Sequence, residues 1–266
     1  MSTQQTSSHE SIPLWLTAII EDVRTLERRA KEFSALPGMS HLCVKLDHAL
    51  RQLEQKQDRN VLLVTLLGAT GVGKSSLFNA LIEKAGASPV SHDLRCYTKQ
   101  PHIAIHPADR HLLHLPDDLQ PIYVDFPIRG LALCDTPDIN GILAENRELT
   151  RRLVEESDVV VYVTMPERRA DFDVAEEVRR WAIRKRWLFV LNRMDQTSVP
   201  EAVRADFIRR LQELGFPSDD RWVFLTAATT PDRYDLSRLK QWLSAGEYAE
   251  KLQDAHYDAF LGMIQD

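Results

Sequence analysis

The sequence has no apolar run approaching the roughly 18 residues that a membrane-spanning helix requires. Its first 35 residues also lack the basic start, apolar centre and small-residue cleavage site of a secretory signal. The expectation is a soluble, cytoplasmic protein with no transmembrane segment. Cysteine is scarce: Cys43, Cys96 and Cys134 are widely spaced and odd in number, which favours a reducing compartment. An excess of basic charge is missing as well. The net charge is −6 with 27% charged residues, so broad attraction to nucleic acid or anionic lipid is not expected, although a local basic patch is compatible with it. There is no internal repeat and no low-complexity tract. At 266 residues the chain is long enough for one domain of about 190 residues plus an appendage.

What the sequence does have is a short string with tight requirements. Gly68-Ala69-Thr70-Gly71-Val72-Gly73-Lys74-Ser75 follows the apolar, β-rich run 61–67 and precedes a helix-like segment at 76–84. Gly68 and Gly73 permit backbone conformations and close approaches that a Cβ hinders, so several N–H groups can turn inward on phosphate oxygens. Lys74 supplies a point charge to the β- and γ-phosphates, Ser75 a hydroxyl to Mg²⁺, and the following helix the positive end of its dipole. The residues expected to hold the phosphates are Gly68, Ala69, Gly71, Val72, Gly73, Lys74, Ser75 and Ser76. A glycine-rich turn that binds nothing has no need of Lys followed by Ser. Four histidines, His102, His106, His111 and His114, straddle a strand end and a Pro-Ala-Asp turn without a partner cysteine, which suits a solvated loop better than a zinc site.

Before this string, Leu16, Ile19, Val23, Leu26, Ala30 and Phe33 recur at spacings of three and four, predicting one buried stripe on a helix that starts near Pro13 and stops at Leu36-Pro37-Gly38. A second stripe, Leu42, Leu46, Ala49 and Leu53, predicts another helix. The stripes suit an intramolecular bundle, an intermolecular coiled coil or a partner-binding face alike. From Val61 onward, apolar runs at 61–67, 102–106, 131–134, 159–164, 188–191 and 223–226 alternate with amphipathic patterns. This predicts an α/β fold with a mostly parallel six-stranded sheet between helices, and a ligand at the carboxyl edge of the strands. The expected division is a two-helix segment at 1–57, a nucleotide domain at 58–246 and a C-terminal helix at 247–266.

The base must be read elsewhere than in the phosphate loop. Asn192-Arg193-Met194-Asp195 directly follows the run 188–191, where the Asp195 carboxylate can accept the N1 and N2 donors of guanine, a pair that adenine lacks. Together with residues 68–75, the segments Asp135-Thr136-Pro137-Asp138, Asn192-Arg193-Met194-Asp195 and Thr226-Ala227-Ala228 resemble, in order and spacing, the motifs of P-loop GTPases of the translation-factor-like class, such as Era and dynamin. The resemblance covers roughly residues 60 to 245. It implies GTP or GDP as ligand and Mg²⁺ as cofactor. It further implies that Asp135 holds the metal through a water, Asn192 braces the base loop, the Arg193 stem covers the guanine face and the Ala227 N–H approaches guanine O6. Tyr97-Thr98-Lys99-Gln100-Pro101 is similar to the first switch of dynamin, which makes Thr98 the expected metal-sensing residue, against an ordinary turn threonine.

Two positions depart from that pattern. Asp138 stands where the family carries a glycine whose N–H reaches the γ-phosphate, and Ile139 stands where Ras-like enzymes carry a water-orienting glutamine. Slow intrinsic turnover is expected. Era-like and dynamin-like relatives are activated by dimerisation or a monovalent cation; the asparagine that holds potassium in Era is replaced here by Gly71, while Thr70 occupies the place of dynamin's water-positioning side chain. The expected catalytic residues are therefore Lys74, Thr70 and Thr98. Arg168 or Arg169 is a candidate for stabilising charge in trans, against a solvated surface pair. The leading expectation is a Mg²⁺-dependent GTPase that acts as a switch through its flanking helices, with homodimerisation through the nucleotide face and a protein partner on the helices. A GTP-binding scaffold with negligible hydrolysis is the alternative, and an ATP-driven protein requires Asp195 to have another role. Only about 20 residues follow the GTPase unit, with no basic–aromatic interleaving, which argues against nucleic acid. The length holds no long stalk or lipid-binding tip, so either the helices recruit a partner or the chain is the GTPase portion of something larger.

Overall fold

The computed structural model describes residues 14–33, 35–44, 46–47, 50, 61–90, 100–113, 115–116, 119–137, 144–169, 185–216, 218–227 and 230–244. The chain divides into two compact units, Met1–Arg59 and Asn60–Asp266.

Among the described residues of the larger unit there are seven strands: β1 (Leu62–Leu67), β2 (His102–Ile105), β3 (Ile122–Asp125), β4 (Leu131–Asp135), β5 (Val159–Thr164), β6 (Arg186–Leu191) and β7 (Val223–Leu225). They form one sheet in the order β3-β2-β4-β1-β5-β6-β7. Every neighbouring pair is parallel except β2 with β4, where His102 lies opposite Asp135. Among the described residues the α-helices of this unit are α2 (Lys74–Leu81), α3 (Ala144–Glu156), α4 (Pro200–Glu213) and α5 (Leu236–Ser244), numbered after α1 (Leu14–Glu32) of the smaller unit.

Because successive strand side chains point to opposite faces, the near-continuous apolar runs supply cores on both faces of the sheet. On one face Leu62, Val64, Leu66, Val161, Val163 and Val190 pack with Leu77 and Phe78 of α2 and Leu239 and Leu243 of α5. On the other, Val160, Phe189 and Leu191 pack with Val154 of α3 and Val203, Phe207 and Leu211 of α4. All six residues of β1 are buried. The result is a three-layer α/β fold with a mostly parallel sheet, and it brings the carboxyl ends of β1, β4, β5 and β6 to one edge.

The expected six strands become seven. The added one, β3, lies between Pro121 and Pro127 and buries only Val124 fully, leaving Ile122 and Tyr123 exposed. A four-residue edge strand with one inward side chain has almost no hydrophobic pattern to read. The Arg110 guanidinium lies 5.4 Å from the Tyr123 ring centroid and covers part of that edge.

In the unit Met1–Arg59, α1 ends before Gly38, whose φ of 85° lies in the left-handed region. Its buried line is Ile20, Val23 and Ala30, whereas Leu26 and Phe33 are 55% and 54% exposed. The broader predicted stripe is thus corrected: at 100° per residue Leu26 and Phe33 fall on the flank of a narrow line. Residues 39–44 are helical as well, but Leu42 is exposed rather than inward. Ala49, Leu53 and the predicted helix at 247–266 lie outside the described residues.

Candidate nucleotide site

The loop 68–73 runs from the end of β1 into α2, as a phosphate cradle requires. Gly71 and Gly73 have φ of 79° and 90°, in the region open to glycine at little cost. Two glycines are also needed for space. A Cβ on Gly68 would stand 2.1 Å from the Val163 carbonyl oxygen, and one on Gly73 would stand 2.4 Å from Asn192 Nδ2. Since the first obstacle is backbone of a central strand, Gly68→Ala is expected to destabilise the domain by about 1–3 kcal/mol or more, read as a lower urea midpoint; an unchanged midpoint would contradict this packing.

Lys74, the first residue of α2, is 4% exposed. Its Nζ donates to the Gly68 carbonyl at 2.8 Å and to the Ala69 carbonyl at 3.1 Å. The ammonium is thereby folded over the loop, between backbone groups that fix its position. Ser75 follows it, half-buried.

Asp135 ends β4 at the same edge and is completely buried. One carboxylate oxygen, Oδ2, accepts the Ser88 hydroxyl at 2.6 Å. The other, Oδ1, has no hydrogen-bond partner among the described residues. Burial pushes the carboxyl above its usual range, against the pull of hydrogen bonds from Ser88 and Ser75 and the nearby charges of Lys74 and His102. A buried carboxylate oxygen without a protein donor is a place for a cation or its bound water. One carboxylate and one hydroxyl are too few for a metal caged wholly by protein and fit Mg²⁺, which keeps several waters and takes further oxygens from substrate phosphates.

Ser88 has no warning in the sequence, where Ala85-Gly86-Ala87-Ser88-Pro89 reads only as a turn. Its position comes from Asn79 of α2, which accepts the Ser88 N–H through Oδ1 and donates Nδ2 to the Ser88 carbonyl, both at 2.8 Å. At the end of β4, Thr136 donates its hydroxyl to the Leu66 carbonyl at 2.7 Å, tying that end to β1.

The second group of predicted residues gathers after β6. Asn192 is buried and its Nδ2 donates to the Val72 carbonyl at 3.0 Å, with Gly73 O at 3.4 Å, while its Oδ1 accepts the Thr226 hydroxyl at 3.1 Å. One side chain thus joins the phosphate loop to the ends of β6 and β7. Arg193 adopts φ 58°, unusual for a residue with a Cβ, and starts a short 3₁₀ turn, Met194–Gln196, in which Asp195 is exposed. That turn is held from below, with the Met194 N–H donating to the Thr226 carbonyl at 3.0 Å and the Tyr234 hydroxyl to the Met194 carbonyl at 2.9 Å. Ala227 is buried beside it.

The two arginines after β5 part company. Arg168 Nη1 donates to the Thr70 carbonyl at 2.8 Å, whereas Arg169 Nε pairs with Asp206 of α4 at 2.9 Å. Of the other predicted residues, Gly68, Ala69, Thr70, Gly71, Val72, Gly73 and Ser76 lie on the loop and the start of α2. Thr98, Asp138, Ile139 and Ala228 lie outside the described residues.

Residues 63–193 match the family model of the 50S ribosome-binding GTPases. That segment is a P-loop GTPase domain, a GTP-binding G domain. Over 193 residues it is 26% identical to a probable transmembrane GTPase, FZO-like and chloroplastic, of Arabidopsis thaliana, covering 66% of this chain but 19% of that relative's length. A bacterial dynamin from an oligomerised pair, described as sensing and tethering membranes at long range, shares the fold with a TM-score of 0.53 at 13% identity, over 94% of this chain and 47% of its own. Among the described residues no helix is long and apolar enough to cross a membrane.

Proposed function

We propose that this protein is a Mg²⁺-dependent GTPase that hydrolyses GTP slowly and uses its nucleotide state to reposition the flanking segments 1–57 and 247–266. The observation that carries the reading is the convergence of Lys74, Asp135 and Asn192, from three separate strand ends, on one loop. In this reading the loop N–H groups and Lys74 bind the phosphates, Asn192 and Asp195 orient the guanine, and Ser75, Asp135 through a water, and Thr98 hold Mg²⁺. The metal supplies charge neutralisation at the phosphate oxygens. Asp135 is oriented for this by the hydroxyls of Ser88 and Ser75, and Thr70 is the proposed water-positioning residue.

Ile139 in place of a water-orienting glutamine supports slow turnover by the isolated chain. Self-association through the nucleotide face is the proposed activator, in keeping with the oligomeric bacterial dynamin of the same fold. A cytoplasmic location and a protein partner on the flanking segments belong to the same proposal. The second reading, a GTP-binding scaffold that barely hydrolyses, draws on Asp138, an acidic residue at the place where the family carries a glycine next to the γ-phosphate. Single-turnover hydrolysis with Mg²⁺ at low and high protein concentration separates the two. A rate that climbs with concentration is expected; one that is flat and near the uncatalysed background would replace the enzyme by the scaffold.

A further inference from the structure

Adjacent arginines after β5 have different work. Arg169 is absorbed by structure: its Nε pairs with Asp206 Oδ2 at 2.9 Å, a carboxylate also bonded by Arg209 and Arg210 and held well below the usual carboxylate range by these hydrogen bonds. Arg168 instead reaches the phosphate loop of its own chain, where Nη1 donates to the Thr70 carbonyl at 2.8 Å across 98 residues of sequence.

The contact falls on an exposed part of the loop. Gly71 is exposed with φ 79°, and a Cβ placed on it would meet nothing within 4 Å. A glycine peptide beside open space can turn over at small cost. In a planar trans peptide the N–H of Gly71 points opposite to the carbonyl of Thr70. Anchoring that carbonyl on Arg168 therefore turns the N–H away from Arg168. A cationic donor on the carbonyl also polarises the same peptide, which strengthens its N–H as a donor.

We propose that Arg168 is a positioning residue of the phosphate loop that acts in cis: by holding the Thr70–Gly71 peptide it presents the Gly71 N–H to the triphosphate and sharpens it as a donor. This rests on the nucleotide-binding reading above and replaces the expectation of an arginine acting in trans. Preorganised N–H groups aimed at developing charge lower a barrier without reorganising during the reaction, so the contribution is expected in release rate and turnover rather than in folding.

The test compares wild type, Arg168→Ala and Arg168→Gln by stopped-flow release of fluorescent GDP and GTP analogues, single-turnover hydrolysis with Mg²⁺, and thermal melting. Arg168→Ala is expected to release the triphosphate about tenfold faster and to hydrolyse about tenfold more slowly, as for loss of one charge-assisted hydrogen bond, with a melting point close to wild type. Arg168→Gln keeps a donor for the Thr70 carbonyl without the charge and is expected to fall between. It also decides the matter if Arg168→Ala shows no cooperative melt. Mixing Arg168→Ala with Lys74→Ala, which keeps Arg168, is expected to restore nothing; recovery of the rate in the mixture would overturn the cis assignment. Wild-type rates in both Arg168 variants would also overturn it while leaving GTP binding intact. A wild-type chain that fails to bind either analogue would instead remove the function proposed above.

Discussion

Lys74→Ala is expected to weaken GTP binding at least about a hundredfold while leaving the fold intact. Lys74 is 4% exposed and its ammonium is held over the loop by two backbone carbonyls, so it is committed to this spot before any ligand arrives. Each charge-assisted hydrogen bond from such a group is worth about 1.5–3 kcal/mol, and two phosphates share it in the proposed complex. Removal also leaves the Gly68 and Ala69 carbonyls without the cation that they accept from. Equilibrium titration with a fluorescent GTP analogue measures the loss, and a thermal melt checks the fold. Retained sub-micromolar affinity in a folded variant would mean that the loop does not cradle phosphate.

The second large effect is a change of base. Asp195→Asn is expected to lower affinity for GTP by about a hundredfold or more and to raise affinity for xanthosine triphosphate. In the proposed complex the carboxylate accepts two donors from guanine N1 and N2; a carboxamide offers one acceptor and one donor, which suits the C2 carbonyl of xanthine. Discrimination of this kind is large because a mismatched partner leaves paired polar groups unsatisfied. Asp195 stands exposed on a turn whose backbone is held by Thr226 and Tyr234, so the substitution should change the pocket without unmaking it. Competition between the two nucleotides reads the result. An unchanged preference for guanine would take Asp195 out of the base pocket.

Most of the sheet was readable because buried parallel strands are written as continuous apolar runs, and β1, β5 and β6 are such runs. The edge strand β3 was not readable, since one inward valine between two prolines carries no period. The stripe of α1 was too generous for a related reason: periodicity shows which residues share a side of a helix, and the width of the buried line depends on what packs there. In the site, Gly68, Gly73, Lys74 and Asn192 were legible because a tight loop and a buried bridge each demand a particular residue type. Ser88 was not, because its hydroxyl gains meaning only from Asp135, 47 residues away.

The sequence alone determined that this protein has a phosphate loop between a buried strand and a helix, and which residue types follow the other strand ends. Those are local requirements of backbone freedom, charge and burial, and they are written within a few adjacent positions. The tertiary structure decided what joins them: Asn192 to the loop across 120 residues, Ser88 to Asp135, and Arg168 rather than Arg169 to Thr70. These contacts depend on directions in space set by the twist and order of the sheet, so no spacing along the chain could have distinguished one arginine from its neighbour.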